Sequence, residues 1–357
     1  MAFTASDICK IIAAVILPPL GVFFERGCGA DLCINILLTI LGFIPGIIHA
    51  LYIILNISGL CALNNTFLYK LCGLWLVVIS NLSFNLRMDD HHLNIPFTAK
   101  TDPLRSFDAY IPPDSPKAIL VFVHGGAWRS GDKADHRTLA TKLATSRTAV
   151  LVPNYRLSPS APSSEIKFEH PAHAEDVLTF LTFLMQWEGL PRLRNISELP
   201  IFVMGHSAGA HILSAIFLDS SATTPTLTPS AEVARLVHGV VLSEGIYDID
   251  LLLKRFPTYR DWFIAAAFGE HESYRDGSVS RLPRRSGPND NLRWLVVHSK
   301  GDTLVDVAQS EAMRDHLRSL YGQDNVETSL DAVAVEHDDV LLDPLFLHLV
   351  SKFVGVD

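Results

Sequence analysis

Three residues that lie far apart in the chain, Ser207, Asp302 and His337, have the types that nucleophilic catalysis requires. A serine hydroxyl attacks poorly until a base takes its proton, and an imidazole base needs a carboxylate to fix its tautomer. Ser207 lies in Gly205-His206-Ser207-Ala208-Gly209, between the β-branched and aromatic run 201–204 and a run of helix formers over 208–218. A serine at so sharp a strand-to-helix turn sits in strained backbone, and small neighbours let adjacent backbone come close. Its hydroxyl then stands at the tip of a sheet, where the following N–H groups and the helix N-terminus face developing negative charge. The bland alternative is a chance strand–glycine–helix junction. The motif therefore needs partners.

His124-Gly125-Gly126-Ala127-Trp128 directly follows the strand-like run 118–124. Adjacent glycines let backbone N–H groups point into a crowded site with no Cβ in the way. With Ala208, this makes the N–H groups of Gly125 and Gly126 the candidate oxyanion donors. Asp302 follows the strand-like run 294–298, and Asp306 is the reserve acid, better placed to cap the next helix. His337 falls between the strand-like run 326–330 and the final helical run 341–353. Among 15 histidines it alone combines this order with a loop setting. His124 and His206 sit inside the motifs, His298 in a strand and His348 on a helix. Clustered metal-ligand spacing is absent from the sequence, so neither a metal nor a cofactor is expected. Trp128, Tyr155 and Tyr247 are candidates to line a substrate, with bracing of the loops as the competing role. The same bracing role suits Arg156, Ser158, His170 and Asp176, because buried polar groups need partners.

The elements that must position these residues alternate. Strand-like runs at 118–124, 149–153, 201–204, 237–243, 293–298 and 326–330 are separated by helical runs at 135–146, 172–187, 208–218, 261–268 and 307–321. Such alternation implies a mostly parallel sheet with helices on both faces. The proline-rich stretch 89–116 reads as a linker into this domain, and 220–230 and 276–291 read as mobile loops.

The chain has 357 residues and a formal net charge of -9, without the basic stripe that nucleic-acid binding needs. A mean hydropathy of +0.25 is high for an enzyme, and its source is local. Residues 8–24 and 32–55 are almost wholly apolar around the polar break Glu25-Arg26-Gly27-Cys28-Gly29-Ala30-Asp31. About 20 apolar residues can cross a bilayer, so the expectation is a two-helix transmembrane hairpin over 1–58. A signal peptide fits less well, since two apolar runs flank a charged turn and a basic leader is missing. A third apolar run within 71–86 suits a membrane helix, an interfacial helix or a soluble packing helix equally. It lies in a connecting segment, 59–104, ahead of a catalytic domain at 105–357. All five cysteines precede residue 73, so no disulfide can staple the serine region, which fits a reducing compartment. The lipid bilayer and a small-molecule substrate are the expected partners, with the catalytic domain on the cytosolic side of a plasma or endomembrane.

Two resemblances follow from these residues. Leu17-Pro18-Pro19-Leu20-Gly21-Val22, Glu25-Arg26-Gly27-Cys28-Gly29 and Pro45-Gly46-Ile47-Ile48-His49-Ala50 resemble plasma membrane proteolipid 3 over about residues 4–57. That resemblance implies a membrane protein linked to membrane potential and cation balance, although its members are typically free-standing. The motifs around Gly125 and Ser207, with Tyr155-Arg156-Leu157-Ser158-Pro159, Glu244-Gly245-Ile246-Tyr247-Asp248 and His337-Asp338-Asp339, resemble fungal-type kynurenine formamidase over about residues 105–355. This implies an α/β-hydrolase fold and hydrolysis of N-formylkynurenine to kynurenine and formate, with Ser207, Asp302 and His337 as the triad. Isoprenylcysteine methylesterases and carboxylesterases share much of the pattern, so lipophilic esters are the rival substrates. A rival of another class makes the membrane hairpin, acting on cation balance, the physiological role.

Overall fold

Eight strands among the described residues form one sheet in the order β1-β2-β4-β3-β5-β6-β7-β8. The computed structural model describes residues 5–41, 46–47, 49–51, 53–54, 90–100, 102–144, 147–159, 167–287 and 291–355. It divides into two units, Met1–Asn85 and Leu86–Asp357. In the second unit the strands are β1 (Asp90–Pro96), β2 (Ser106–Ile111), β3 (Ala118–Val123), β4 (Thr148–Pro153), β5 (Ile201–His206), β6 (Val237–Ser243), β7 (Arg293–Ser299) and β8 (Val326–Val333). From β4 onward in the sheet every neighbouring pair is parallel, while β1–β2 and β2–β4 are antiparallel. The central strands are continuous apolar runs because both faces are covered.

Alternation along β3 shows how the two faces are filled. Ile119, Val121 and Val123 enter one core with Val177 and Leu181 of helix Ala172–Leu184, Leu213 of helix Ala208–Phe217 and Leu317 of helix Val307–Tyr321. Leu120 and Phe122 enter the other, with Leu139 and Leu143 of helix Arg137–Leu143 and Phe346 and Val350 of helix Pro344–Val354. The mostly parallel sheet with helices on both faces expected from the alternation is present, as the α/β-hydrolase fold implied by the resemblance requires. Because β3, β5, β6, β7 and β8 run parallel, their carboxyl ends share one edge of the sheet, where such folds place their sites. The turns that follow them carry Gly125, Ser207, Glu244, Asp302 and His337.

One expectation needs correction. Within the stretch expected to be a linker, 89–116, β1 and β2 instead form the antiparallel edge of the sheet. Pro96 ends β1, Asn94 has φ 58° and the pairing slips between His92 and Ile95. These features blunt an edge strand and hide its period from a sequence reading. β2 is buried along its length although it carries Asp108. That carboxylate accepts the Asn94 N–H at 2.8 Å and lies 3.5 Å from Lys133 Nζ.

In the first unit, the expected span 8–24 is instead two helices, Ala5–Ile16 and Pro18–Arg26. The residue before a proline is disfavoured in α conformation, and proline has no N–H to continue the ladder. Leu17 accordingly turns out to φ -146° and ψ 91° ahead of Pro18. A 12-residue helix extends roughly 18 Å, short of the ~30 Å hydrocarbon core. Among the described residues no helix is long and apolar enough to cross a membrane. The third apolar run, 71–86, lies outside the described residues.

Candidate active site

Ser207 follows β5 and precedes helix Ala208–Phe217 with φ 54° and ψ -118°, a conformation that an L-residue adopts only under constraint. The constraint can be traced. Its N–H donates to Ser243 O at 2.8 Å, and its carbonyl receives the Ala210 N–H at 3.0 Å. A Cβ on Gly205 would meet Gly209 O at 2.4 Å, and one on Gly209 would meet Val123 O at 2.2 Å. Both glycines are therefore required by how closely helix, β5 and the end of β3 pack.

The turn after β3 presses against this elbow. A Cβ on Gly125 would stand 2.9 Å from Ser207 Cβ. Gly126, Ala127 and Trp128 follow with φ 96°, 52° and 57°, so three successive residues have positive φ. Tyr155 Oη donates to His124 O at 3.0 Å and to Gly125 O at 3.1 Å, and Ser158 N donates to Trp128 O at 2.8 Å. Arg156 in turn grips Asp176 through two bonds of 2.7 and 2.8 Å. The Ala208 N–H, in the first turn of its helix, has no intrahelical acceptor. Gly125, Gly126, His136, His206 and Asp338 line a cavity of about 400 Å³ beside these turns.

The loops after β7 and β8 bring the other two residues together. His337 Nδ1 lies 2.7 Å from Asp302 Oδ2, and the Asp302 side chain is wholly buried. Asp302 Oδ1 accepts the N–H groups of Leu304 at 2.8 Å and Val305 at 2.9 Å. Burial alone would raise the Asp302 carboxyl, but hydrogen bonds from His337 and Glu244 and the charge of His337 outweigh it and hold Asp302 well below the usual carboxylate range. Ser299 Oγ donates to Val335 O at 2.5 Å and receives the Val335 N–H at 2.7 Å, which clips one loop to the other. The His337 ring stacks obliquely on His206, next to Ser207, at 4.7 Å between centroids. Burial, opposed by the hydrogen bond to Asp338, takes His206 down to about 4. Its 3.3 Å contact with the exposed Asp338 is then a neutral imidazole N–H donating to a carboxylate.

Asp306, the reserve acid, occupies the N-cap of helix Val307–Tyr321 without a capping side-chain bond. Trp128, Tyr155 and Tyr247 are all fully buried. Tyr155 braces the glycine turn. Trp128 meets His211 and Phe268 edge-on at 5.1 and 4.9 Å, and Tyr247 lies against Gly245. Two triplets, His206–His337–Asp338 and Glu244–Asp302–His337, bring ligand-type atoms within 4.8 Å of one another. No sequence spacing reveals them, since each joins separate loops. Each contains one hydrogen-bonded pair, His206–Asp338 at 3.3 Å and His337–Asp302 at 2.7 Å. Glu244 escapes a sequence reading for the same reason: its partners are 55 and more residues away.

The sequence model of the proteolipid membrane potential modulator family matches residues 7–55, and that of the BD-FAE family matches residues 107–317, more than half of the chain. Plasma membrane proteolipid 3 of Neurospora crassa is 91% identical over 56 residues, covering 16% of this chain and 98% of the relative. Kynurenine formamidase of Meyerozyma guilliermondii is 28% identical over 225 residues, covering 61% of this chain and 78% of the relative. Among solved structures, esterase B of Lactobacillus rhamnosis superposes with a TM-score of 0.57 at 16% identity, covering 81% of this chain and 93% of that one. At that identity the likeness shows the fold. The chain is a hydrolase of esterase or formamidase type that belongs, through residues 107–317, to the BD-FAE family, and its residues 7–55 belong to the proteolipid membrane potential modulator family.

Proposed function

We propose that this chain is a membrane-attached serine hydrolase that deformylates N-formyl-L-kynurenine. The observation that carries the reading is the strained Ser207 elbow beside the His337–Asp302 pair held at 2.7 Å. In the first half-reaction, Ser207 Oγ bonds to the formyl carbon as its proton passes to His337. The N–H groups of Gly126 and Ala208, with Gly125 beside them, receive the oxyanion. The C–N bond then breaks, His337 returns the proton to the departing aniline nitrogen, and kynurenine leaves. Water repeats the sequence on the formyl ester, releasing formate and restoring the serine.

The formamide is favoured over other acyl groups by the motif set shared with kynurenine formamidases and by the relative of that name. Attachment to a membrane is supported by the family match over residues 7–55 and by the close likeness, over 56 residues, to plasma membrane proteolipids. The test is kcat/KM for N-formyl-L-kynurenine beside a short aryl ester. The formamide should lead by about tenfold or more, a transition-state difference of ~1.4 kcal/mol. An ester preference of that size would overturn the substrate while leaving the serine chemistry intact.

A further inference from the structure

The Glu244 carboxyl is wholly buried at the end of β6. Its backbone is left-handed at φ 50°, and the residue before it accepts the Ser207 N–H. Oε1 accepts the Ser299 N–H at 2.8 Å. Oε2 is sealed from solvent and makes no hydrogen bond among the described residues. His298 Nδ1 lies 3.2 Å away, but it is engaged with Ser310 Oγ at 2.9 Å, and burial lowers its pKa so that the ring stays neutral. The Asp302 carboxylate lies close by, with His337 beyond it; the three offer atoms within 4.8 Å of one another. Two buried carboxylates in contact cannot both ionise without a large cost, so one keeps a proton. Asp302 already receives three donors: Leu304 N–H, Val305 N–H and His337. The proton therefore falls to Glu244.

We propose that Glu244 is a positioning residue for the Asp302–His337 pair: its neutral carboxyl donates a hydrogen bond to Asp302 and fixes the orientation in which that carboxylate meets His337. Burial, reinforced by the hydrogen bond and charge of Asp302, pushes the Glu244 acid up to about 10, in accord with this geometry. The donor saturates Asp302 without adding charge, and it ties the turn after β6 to the loop after β7. Because Ser243 also holds the elbow, one short segment sets both the nucleophile and the acid. The inference rests on the serine-hydrolase reading above.

Two variants and one spectrum test it. Glu244→Leu removes the donor and should lower kcat by about 10- to 100-fold with KM little changed, the scale of losing a hydrogen bond to a charged group. Glu244→Gln keeps an N–H donor for Asp302 and a carbonyl for Ser299, and should recover most of that loss. In protein labelled with ¹³C-glutamate, infrared spectra at neutral pH should show a protonated-carboxyl carbonyl band that Glu244→Gln abolishes. Equal activity of the Leu and Gln variants, or absence of the band from the wild-type protein, overturns the proposal. The Gln variant and the spectrum decide the matter even where the Leu variant does not fold. A failure of the underlying reading registers separately, as turnover surviving Ser207→Ala with the infrared band in place.

Discussion

The two units of this chain are built on opposite plans. In residues 86–357 most large apolar side chains are inside, in two cores on either side of the sheet, and buried polar groups such as Asp176 and Asp302 are tied into bonded networks. In the first unit, Val22, Ile53 and Ile54 are buried, but many large apolar side chains face outward: Ile12, Ile16 and Phe24 are 53%, 70% and 54% exposed. Polar groups face inward there. Asn35 is fully buried and donates to Gly46 O at 2.8 Å, with His49 Nδ1 at 3.0 Å. Lys10 pairs with Glu25 at 2.8 Å, and Gly21 lets Ala14 come close. Small and polar contacts hold helices together where the surroundings are themselves apolar, because burial of apolar surface then brings no gain. The contrast teaches that one chain carries two answers to two solvents, in keeping with the membrane attachment proposed above.

The comparison can be sharpened by changes that should touch one plan only. Asp302→Asn leaves His337 without a carboxylate and should lower kcat by about 10³- to 10⁴-fold, while recovery in the membrane fraction stays unchanged. A comparable loss of membrane recovery would break the separation. Gly125→Ala places a Cβ against Ser207 and should cost about 100-fold or more in kcat, the scale of one disturbed oxyanion donor; steady-state kinetics reads this directly.

Acid should weaken the hydrolase unit. Burial lowers His136 and His173 to about 3 and His206 and His211 to about 4, all from 6.5. Their contribution to stability is present above about pH 6.5, where the unfolded chain is also neutral, and is lost as pH falls toward about 4 to 3. Glu244 acts in the opposite direction. Its stability contribution is present below about pH 4.5 and is lost as pH rises to about 10, so Glu244→Gln should flatten the alkaline side of a melting-temperature profile and leave the acid side intact. The smallest effect is expected in the first unit. Asn35→Ala should weaken it by about 0.6–2 kcal/mol in detergent micelles, read by unfolding in that medium, with hydrolase kinetics unaffected.

Much of the sheet was legible in the sequence because a strand buried on both faces is a continuous apolar run, as in Ile201–His206 and Ala118–Val123. The elbow was legible because the glycines its close approaches demand are local. β1 and β2 were not: prolines, an irregular register and the polar pair Asp108–Lys133 mask an edge whose pairing is nonlocal. The break at Pro18 was present in the letters, yet hydropathy alone ran the two helices together. Glu244 stayed hidden because its role depends on which loop comes to lie beside it, and the period of a single strand does not reveal that.

The most direct measurement is formate release from N-formyl-L-kynurenine by the wild-type chain and by Ser207→Ala, prepared side by side. The account predicts turnover by the wild-type protein and a fall of about 10⁴-fold or more in the variant. A variant that releases formate at the wild-type rate would contradict it.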